Sequence, residues 1–307
     1  MKIFITLLFA WSFGAEAWSA KPPLGLDLFL PVSAANPLTR EKIVRGKQLF
    51  FDKRLSRDGT LSCASCHDPK ISFTDGRVHA RGIDRAEGTR NSPALVNRGY
   101  AGTFFWDGRA SSLEQQALDP ITNSKELGNT IEEVEHRTGM RAAGIADALA
   151  SYMRTIRSGG SRFDRYAAGQ ASALNTLEKE GLKVFRDRGV CTACHISPNF
   201  TDELFHNTGV AWRDNKLADN GRFAVSEIER DRGAFKTPTL RDLTRTAPYM
   251  HDGSLATLDD VIEFYSKGGR PNPSLDEKIH PLDLTAHEKL ALASFLRTLT
   301  GYVREGI

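Results

Sequence analysis

Cys63-Ala64-Ser65-Cys66-His67 and Cys191-Thr192-Ala193-Cys194-His195 are the stretches on which this chain turns, and together they use all four of its cysteines. Cys-x-x-Cys-His is the attachment pattern of c-type haem. Two thiols one helical turn apart bond covalently to the macrocycle, and the adjacent histidine reaches the iron as an axial ligand. Disulfides, a zinc site and a thioredoxin-like dithiol compete for the same residues. Zinc needs further ligands with the same spacing, and no other cysteine remains. A redox dithiol does not call for the trailing histidine, which is present both times. The expectation is two covalently bound haem c groups. Cys63 and Cys66 would carry the first, with His67 on its iron; Cys191 and Cys194 would carry the second, with His195 on its iron.

Working outward to the N-terminus, Lys2 precedes an apolar run from Ile3 to Gly14 that is too short to span a bilayer. Ala15-Glu16-Ala17 supplies a small-x-small cleavage pattern, so residues 1–17 read as a signal peptide. Cleavage after Ala20 is the alternative, at the cost of placing bulky Trp18 three residues before the cut. No later stretch reaches transmembrane length. A secreted chain with covalent haem points to the bacterial periplasm, where disulfides are permitted but no thiols are left to form them. The 307 residues suit about two domains. A composition of 40% hydrophobic and 26% charged residues allows a core and argues against disorder. The formal charge of +3 includes Lys2 and omits the haem propionates, so nothing supports nucleic-acid binding.

The two halves resemble each other around their pentads. Gly46-x-x-Leu49-Phe50 echoes Gly181-x-x-Val184-Phe185, and Phe73-Thr74-Asp75 echoes Phe200-Thr201-Asp202. Further on, Ser92-Pro93-x-Leu95 matches Thr237-Pro238-x-Leu240. Asp107-Gly108 with Ser112-Leu113-Glu114 matches Asp252-Gly253 with Thr257-Leu258-Asp259. These last pairs share one offset of 145 residues. An ordered series of this kind reads as a duplicated haem domain. The expected organisation is an N-terminal haem domain over 38–156, a linker over 157–170 centred on Arg157-Ser158-Gly159-Gly160-Ser161, and a C-terminal haem domain over 171–307.

Local patterns are helical. Ile145, Leu149, Tyr152, Met153 and Ile156 keep helical spacing. Thr285 and Glu288 form a capping box for a last helix with Leu292, Phe295, Leu296 and Leu299 as its core stripe and Gly301 as its stop. No run of alternating strands is long enough for a sheet. The predicted fold is mainly α, with two cytochrome c-like haem domains related by internal duplication.

The repeat also separates the two irons. Thr257 and Asp260 open a helix whose inner face carries Leu258, Val261, Ile262 and Tyr265, ended by Gly268-Gly269. A phenol turned inward either hydrogen-bonds within the core or ligates iron, as tyrosine does in catalase. Subtracting the 145-residue offset from Tyr265 lands on Pro120, which has no side-chain donor or acceptor. The first iron is then expected to keep an open face, where peroxide or oxygen could bind, while the second is closed. One closed and one open iron suits an enzyme; a pure electron carrier would close both.

Leu49-Phe50-Phe51-Asp52, Leu55-Ser56, the two pentads, Asn91-Ser92-Pro93, Phe105-Trp106-Asp107-Gly108-Arg109 and Ala247-Pro248-Tyr249-Met250-His251-Asp252-Gly253, taken in order, resemble the bacterial dihaem cytochrome c peroxidase superfamily. The resemblance spans nearly the whole mature chain. Within the superfamily it is nearest the MauG type of methylamine utilisation. Peroxidases carry a methionine seventeen residues after the proline of a Thr-x-Pro calcium motif; here Thr246-x-Pro248 leads at that distance to Tyr265, as in the MauG type.

The resemblance implies further roles. Asn91, Thr246 and Pro248 match an inter-domain calcium site of oxygen donors, against a reading as ordinary turn residues. Trp106 matches a tryptophan between the haems that could relay electrons, against simple core packing. Gln116, Pro120 and Glu126 match the distal side of the reactive haem, where a carboxylate can take and return protons as peroxide is cleaved. The implied activity is peroxide-dependent completion of the tryptophan tryptophylquinone of methylamine dehydrogenase, with a precursor of that protein as substrate. The alternatives are reduction of hydrogen peroxide with electrons from a small cytochrome or cupredoxin, and a non-catalytic dihaem electron carrier. The sequence also departs from the pattern: the segment from Asn129 to Gly144 is shorter than in the MauG type, and the peroxidases' distal Gly-His-x-Trp is absent, leaving His79 as a loop residue. Met250 and His251 are expected beside the ligands or propionates, and His206 and Trp212 in the second pocket.

Overall fold

Each half is built on a pair of helices that meet at a glycine. The computed structural model describes residues 21–307, and the leader reading therefore lies outside the described residues. Helix α1 (Arg40–Phe50), N-capped by Thr39, packs on α4 (Ala142–Thr155), with α2 (Leu113–Thr122) and α3 (Ile131–Thr138) between them in sequence. The second half repeats this with α6 (Thr176–Arg186) on α9 (Ala286–Arg297), preceded by α5 (Arg162–Ala167) and separated by α7 (Phe223–Ser226) and α8 (Leu258–Ser266). A β-carbon added at Gly46 would lie 1.8 Å from the Ala148 carbonyl oxygen, and one at Gly181 would lie 1.9 Å from that of Ala291. Only glycine lets the two backbones come this close.

Phe50 and Phe185, four residues after these glycines, occupy the same helix face and enter equivalent aromatic clusters. Phe50 meets Tyr152 and Phe73 at ring centroids 5.2 and 5.9 Å apart; Phe185 meets Phe295 and Phe200 at 5.2 and 6.1 Å. Two separate apolar cores result, one per half. The repeated Gly-x-x-x-Phe spacing thus records a repeated packing solution. Gly46→Ala is expected to destabilise by about 1–3 kcal/mol, as overpacking does. The readout is a lower urea midpoint; an unchanged midpoint would mean that the helices do not meet there.

The strands are short. Among the described residues, β1 (Arg157–Gly159) pairs with β6 (Tyr302–Arg304), β2 (Phe205–His206) with β5 (Phe235–Lys236), and β3 (Trp212–Arg213) with β4 (Lys216–Leu217), all antiparallel. The mainly helical expectation holds. Within the Arg157–Ser161 stretch, Arg157–Gly159 is a buried strand that pairs with the C-terminal strand, and Ser161 is the N-cap of α5. Thr285 and Glu288 form the predicted capping box, but α9 ends at Arg297 rather than at Gly301. Thr298 and Leu299 close the last turn on the Phe295 and Leu296 carbonyls. Gly301 serves a close approach instead: an added β-carbon would sit 2.6 Å from the Gly159 carbonyl oxygen.

Polar contacts stitch the halves together. Arg90 reaches Asp107 at 2.6 Å and Asp219 at 2.8 and 2.9 Å, and Arg98 reaches Glu203 at 3.2 Å. The almost fully buried Arg241 makes a bidentate pair with Asp164 at 2.9 and 3.0 Å and also donates to the Gly25 and Pro198 carbonyls. A buried guanidinium is tolerable only with its donors filled in this way. Among the described residues, no helix is long and apolar enough to cross a membrane.

Candidate functional site

Both pentads fold as a single 3₁₀ turn, Cys63–Ser65 and Cys191–Ala193. The His67 amide then bonds the Cys63 carbonyl at 3.0 Å and the His195 amide the Cys191 carbonyl at 2.8 Å, so each histidine lies one turn on from its first cysteine. His67 Nδ1 lies 2.9 Å from the Phe73 carbonyl oxygen, and His195 Nδ1 lies 2.9 Å from that of Phe200. A carbonyl only accepts, so Nδ1 carries the proton and Nε2 keeps its lone pair. Burial holds both imidazoles below their ordinary pKa, which keeps them neutral, as a metal ligand must be. Phe73 and Phe200 reach these positions with φ of 61° and 55°, in the left-handed region that bulky residues avoid. The same local strain, placed twice, presents a carbonyl to the proximal histidine.

The thiols suit attachment better than redox exchange. All four cysteines are free of disulfides. Burial pushes the Cys63 and Cys191 thiols up to about 12 and the Cys66 thiol up to about 11. A reactive dithiol needs the opposite shift.

Both pentads open onto one cavity of about 1240 Å³, lined from the two halves. An ordinary small-molecule pocket spans roughly 300–1,000 Å³. His67, His195 and Tyr265 are enclosed by the fold yet keep surface open to this space. Two sulfurs and a neutral imidazole per half, on a wall rich in Leu, Phe, Val and Ile, are a donor set that fits a covalent haem in each.

On the first half's wall stand Gln116, Pro120 and Glu126. Pro120 sits in the last turn of α2 and cannot close the helical bond to the Gln116 carbonyl. Glu126 Oε1 accepts from Asn123 Nδ2 at 2.7 Å. Burial raises its pKa, and Arg109 and Asn123 only partly oppose this. Both Cys63 and Cys66 feel its charge, which puts the carboxyl beside the first pentad. In the second half, Tyr265 faces the cavity from α8. Burial raises the phenol's pKa, the nearby Cys194 and Cys191 sulfurs raise it further, and Thr208 pulls the other way. The structure thus brings Tyr265 to the second pentad, and Pro120 lines the wall by the first.

Trp106 lies on the same wall between the halves. Its indole N–H donates to the Asn91 carbonyl at 2.9 Å, while its own carbonyl accepts from the Lys236 amide at 2.9 Å. The Asn91 amide in turn donates to the His251 carbonyl at 2.7 Å, and its side-chain nitrogen donates to the Arg77 carbonyl at 2.5 Å. Asn91, Thr246 and Pro248 all line the cavity, with Asn91 contributed by one half and the others by the second.

Further side chains stand on the cavity wall beside these residues. His251 is stacked flat on Phe235, with ring centroids 3.5 Å apart, and burial holds its pKa down at about 4. His79, read only as a loop residue, lines the cavity, as do Met250 and His206. Trp212 does not. From the β3 hairpin its indole packs near Gly233, and its buried Nε1 has no hydrogen-bond partner among the described residues. The signal for the two proximal carbonyls was present in the doubled Phe-Thr-Asp.

Comparison with known proteins agrees with this geometry. Residues 40–141 match the family model for di-haem cytochrome c peroxidase. The methylamine utilization protein MauG of Methylorubrum extorquens is 40% identical over 288 residues, covering 88% of this chain and 81% of its own. A cytochrome-c peroxidase of Pseudomonas sp. (strain SCT) is 34% identical, with 96% and 90% covered. The crystal structure of a MauG-like protein associated with microbial copper homeostasis superposes with a TM-score of 0.81 at 33% identity, over 95% of this chain and 96% of that one. Identity at this level along almost the whole length means that the chain belongs to the di-haem cytochrome c peroxidase family and is a peroxide-dependent dihaem enzyme.

Proposed function

We propose that the protein is a periplasmic oxidase of the MauG type, which uses hydrogen peroxide to complete the tryptophan tryptophylquinone of methylamine dehydrogenase by long-range electron transfer. The observation that carries this reading is the pairing of Tyr265 at the second pentad with Pro120 at the first. Haem iron, once bound, supplies one-electron and peroxide chemistry that no side chain offers.

The chain's own residues do the rest. Cys63, Cys66, Cys191 and Cys194 anchor, and His67 and His195 present Nε2 in a fixed tautomer. Tyr265 supplies an oxygen donor to the second site, whereas Pro120 offers none to the first. Glu126, whose pKa burial raises, is placed to take a proton and return it to a peroxide oxygen, with Gln116 on the same wall. Trp106, fixed at both its indole and its carbonyl, offers a π system between the halves.

The decisive experiment adds peroxide and purified holoprotein to a methylamine dehydrogenase precursor and follows the quinone absorbance. Absence of quinone, with brisk peroxide reduction from a small cytochrome or cupredoxin, would make the peroxidase the better reading. A second reading follows from the end-to-end match to the copper-associated MauG-like protein: the same chemistry directed at a protein substrate of copper homeostasis. Precursor left untouched while such a protein is oxidised would favour it.

Two further results are expected. Electron paramagnetic resonance of the ferric protein should show one high-spin and one low-spin centre, since His67 stands alone and His195 is paired with Tyr265. Two low-spin centres that ignore added ligands would favour the carrier. Chelation of calcium from Asn91, Thr246 and Pro248 should loosen the seam between halves and perturb both haem spectra, with recovery on adding calcium back. Spectra and peroxide reactivity unchanged in a calcium-free sample would remove this site.

A further inference from the structure

Duplication placed an aspartate and a histidine four residues apart after each pentad, Asp75…His79 and Asp202…His206. The two copies have diverged. In the first half the buried Oδ2 of Asp75 has no hydrogen-bond partner among the described residues, and His79 lies on the cavity wall. In the second half His206 Nε2 lies 2.9 Å from Asp202 Oδ2, and its Nδ1 lies 2.5 Å from Asp276 Oδ2. Asp276 comes from the segment between α8 and α9, and the position 145 residues earlier is Ile131, which carries no carboxylate.

Both ring nitrogens of His206 therefore face carboxylates. A neutral imidazole has one donor and one acceptor nitrogen, and its acceptor would point at carboxylate lone pairs. Only the imidazolium satisfies both contacts. The Cys194 sulfur, followed by Asp276 and Asp202, holds the group well above its usual pKa against the effect of its burial. Alkylation of Cys194 leaves both carboxylates in place. The side chains of His206, Asp202 and Asp276 are 9%, 5% and 19% exposed, so solvent screens the group weakly. The Cys194 sulfur and ligand atoms of Asp202 and His206 all lie within 4.8 Å of one another. That sulfur is the one haem attachment consumes, so the cluster is a charge group at the edge of the second haem rather than a separate metal centre.

We propose that Asp202, His206 and Asp276 form a fixed triad of net charge −1 at the sulfur edge of the C-terminal haem that lowers its reduction potential. The proposal rests on the attachment of that haem through Cys194. A negative group at this edge opposes the added electron and favours the oxidised iron. The effect is electrostatic; no bond forms or breaks, and one electron passes between iron and mediator.

The test is a spectroelectrochemical titration of the holoprotein at pH 7, after pyridine haemochrome has confirmed two haems in each variant. His206→Gln removes the cation and leaves two carboxylates, so the C-terminal haem should become harder to reduce. Asp276→Asn neutralises the triad, so that haem should become easier to reduce. Each shift should reach at least tenfold in the reduced-to-oxidised ratio at a fixed potential, which is about 59 mV for a one-electron couple. His79→Gln, the counterpart in the first half, should leave the C-terminal potential where it was. Opposite signs for His206→Gln and Asp276→Asn support the triad; shifts of the same sign, or none, overturn it. Asp276 is partly exposed, so Asp276→Asn is the variant to rely on should His206→Gln fail to fold, and an absent or negative shift there also overturns the proposal. Variants with both haems attached but unmoved potentials refute the triad alone. A second pentad without haem in the unmodified protein refutes the attachment reading instead.

Discussion

A Cys63→Ala, Cys66→Ala protein is expected to carry one covalent haem in place of two and to lose its reaction with peroxide. The two thiols are the only covalent tether the first half offers, and His67 alone is a weak hold on a macrocycle. The second pentad has its own core, its own glycine-seated helix pair and its own proximal carbonyl, so its haem should remain. Pyridine haemochrome counts the haems, and the change in absorbance on adding peroxide measures the reaction. The mirror variant, Cys191→Ala with Cys194→Ala, should keep the haem with the open face. Two haems still bound after the first double substitution would refute the attachment assignment.

Tyr265→Met is the second substitution with a large expected effect. A buried phenol whose pKa is raised releases its proton only to a strong local charge, so ligation and deprotonation at Tyr265 are coupled. The tyrosinate that results is a hard, anionic donor that favours higher iron oxidation states more than a neutral thioether does. Methionine should therefore raise the potential of the C-terminal haem and shift the protein toward peroxidase behaviour. Quinone maturation should slow by roughly tenfold or more, the equivalent of about 1.36 kcal/mol in barrier height. Tyr265→His should also weaken maturation while leaving both haems attached. Maturation at the unmodified rate by either variant would mean that Tyr265 is not the functional sixth ligand, and the MauG-type reading would lose its main residue-level support.

The parts of this molecule that were legible in its sequence are those fixed by local chemistry. Both pentads, the capping boxes at Thr257 and Thr285 and the inward face of α8 need only a few neighbouring residues to specify them. The repeat was equally readable, because a glycine seated under a carbonyl and a phenylalanine four residues on leave the same trace twice. What escaped depends on residues far apart in the chain. Arg157–Gly159 carries the Gly-Ser composition of a connection, yet its backbone is paired with Tyr302–Arg304. Gly301 looks like a helix stop because the approach of the Gly159 carbonyl cannot be seen from the sequence. Asp276 belongs to no motif, and only folding brings it to His206, 70 residues away. Trp212 follows the second pentad closely, but the hairpin turns it away from the cavity.

The division of labour between helices has a consequence for how such a protein can change. The glycine contacts of α1 with α4 and of α6 with α9 carry the framework, and the proximal carbonyls of Phe73 and Phe200 hang from it. The residues that the proposed function uses to distinguish the two irons, Pro120 and Tyr265, ride on α2 and α8, outside both glycine-seated pairs. A single substitution on either of these helices can alter what an iron binds without disturbing the scaffold that holds it. The doubled architecture thereby separates inheritance from innovation: one pair of helices in each half keeps the fold, and another helix is free to acquire a new reactivity.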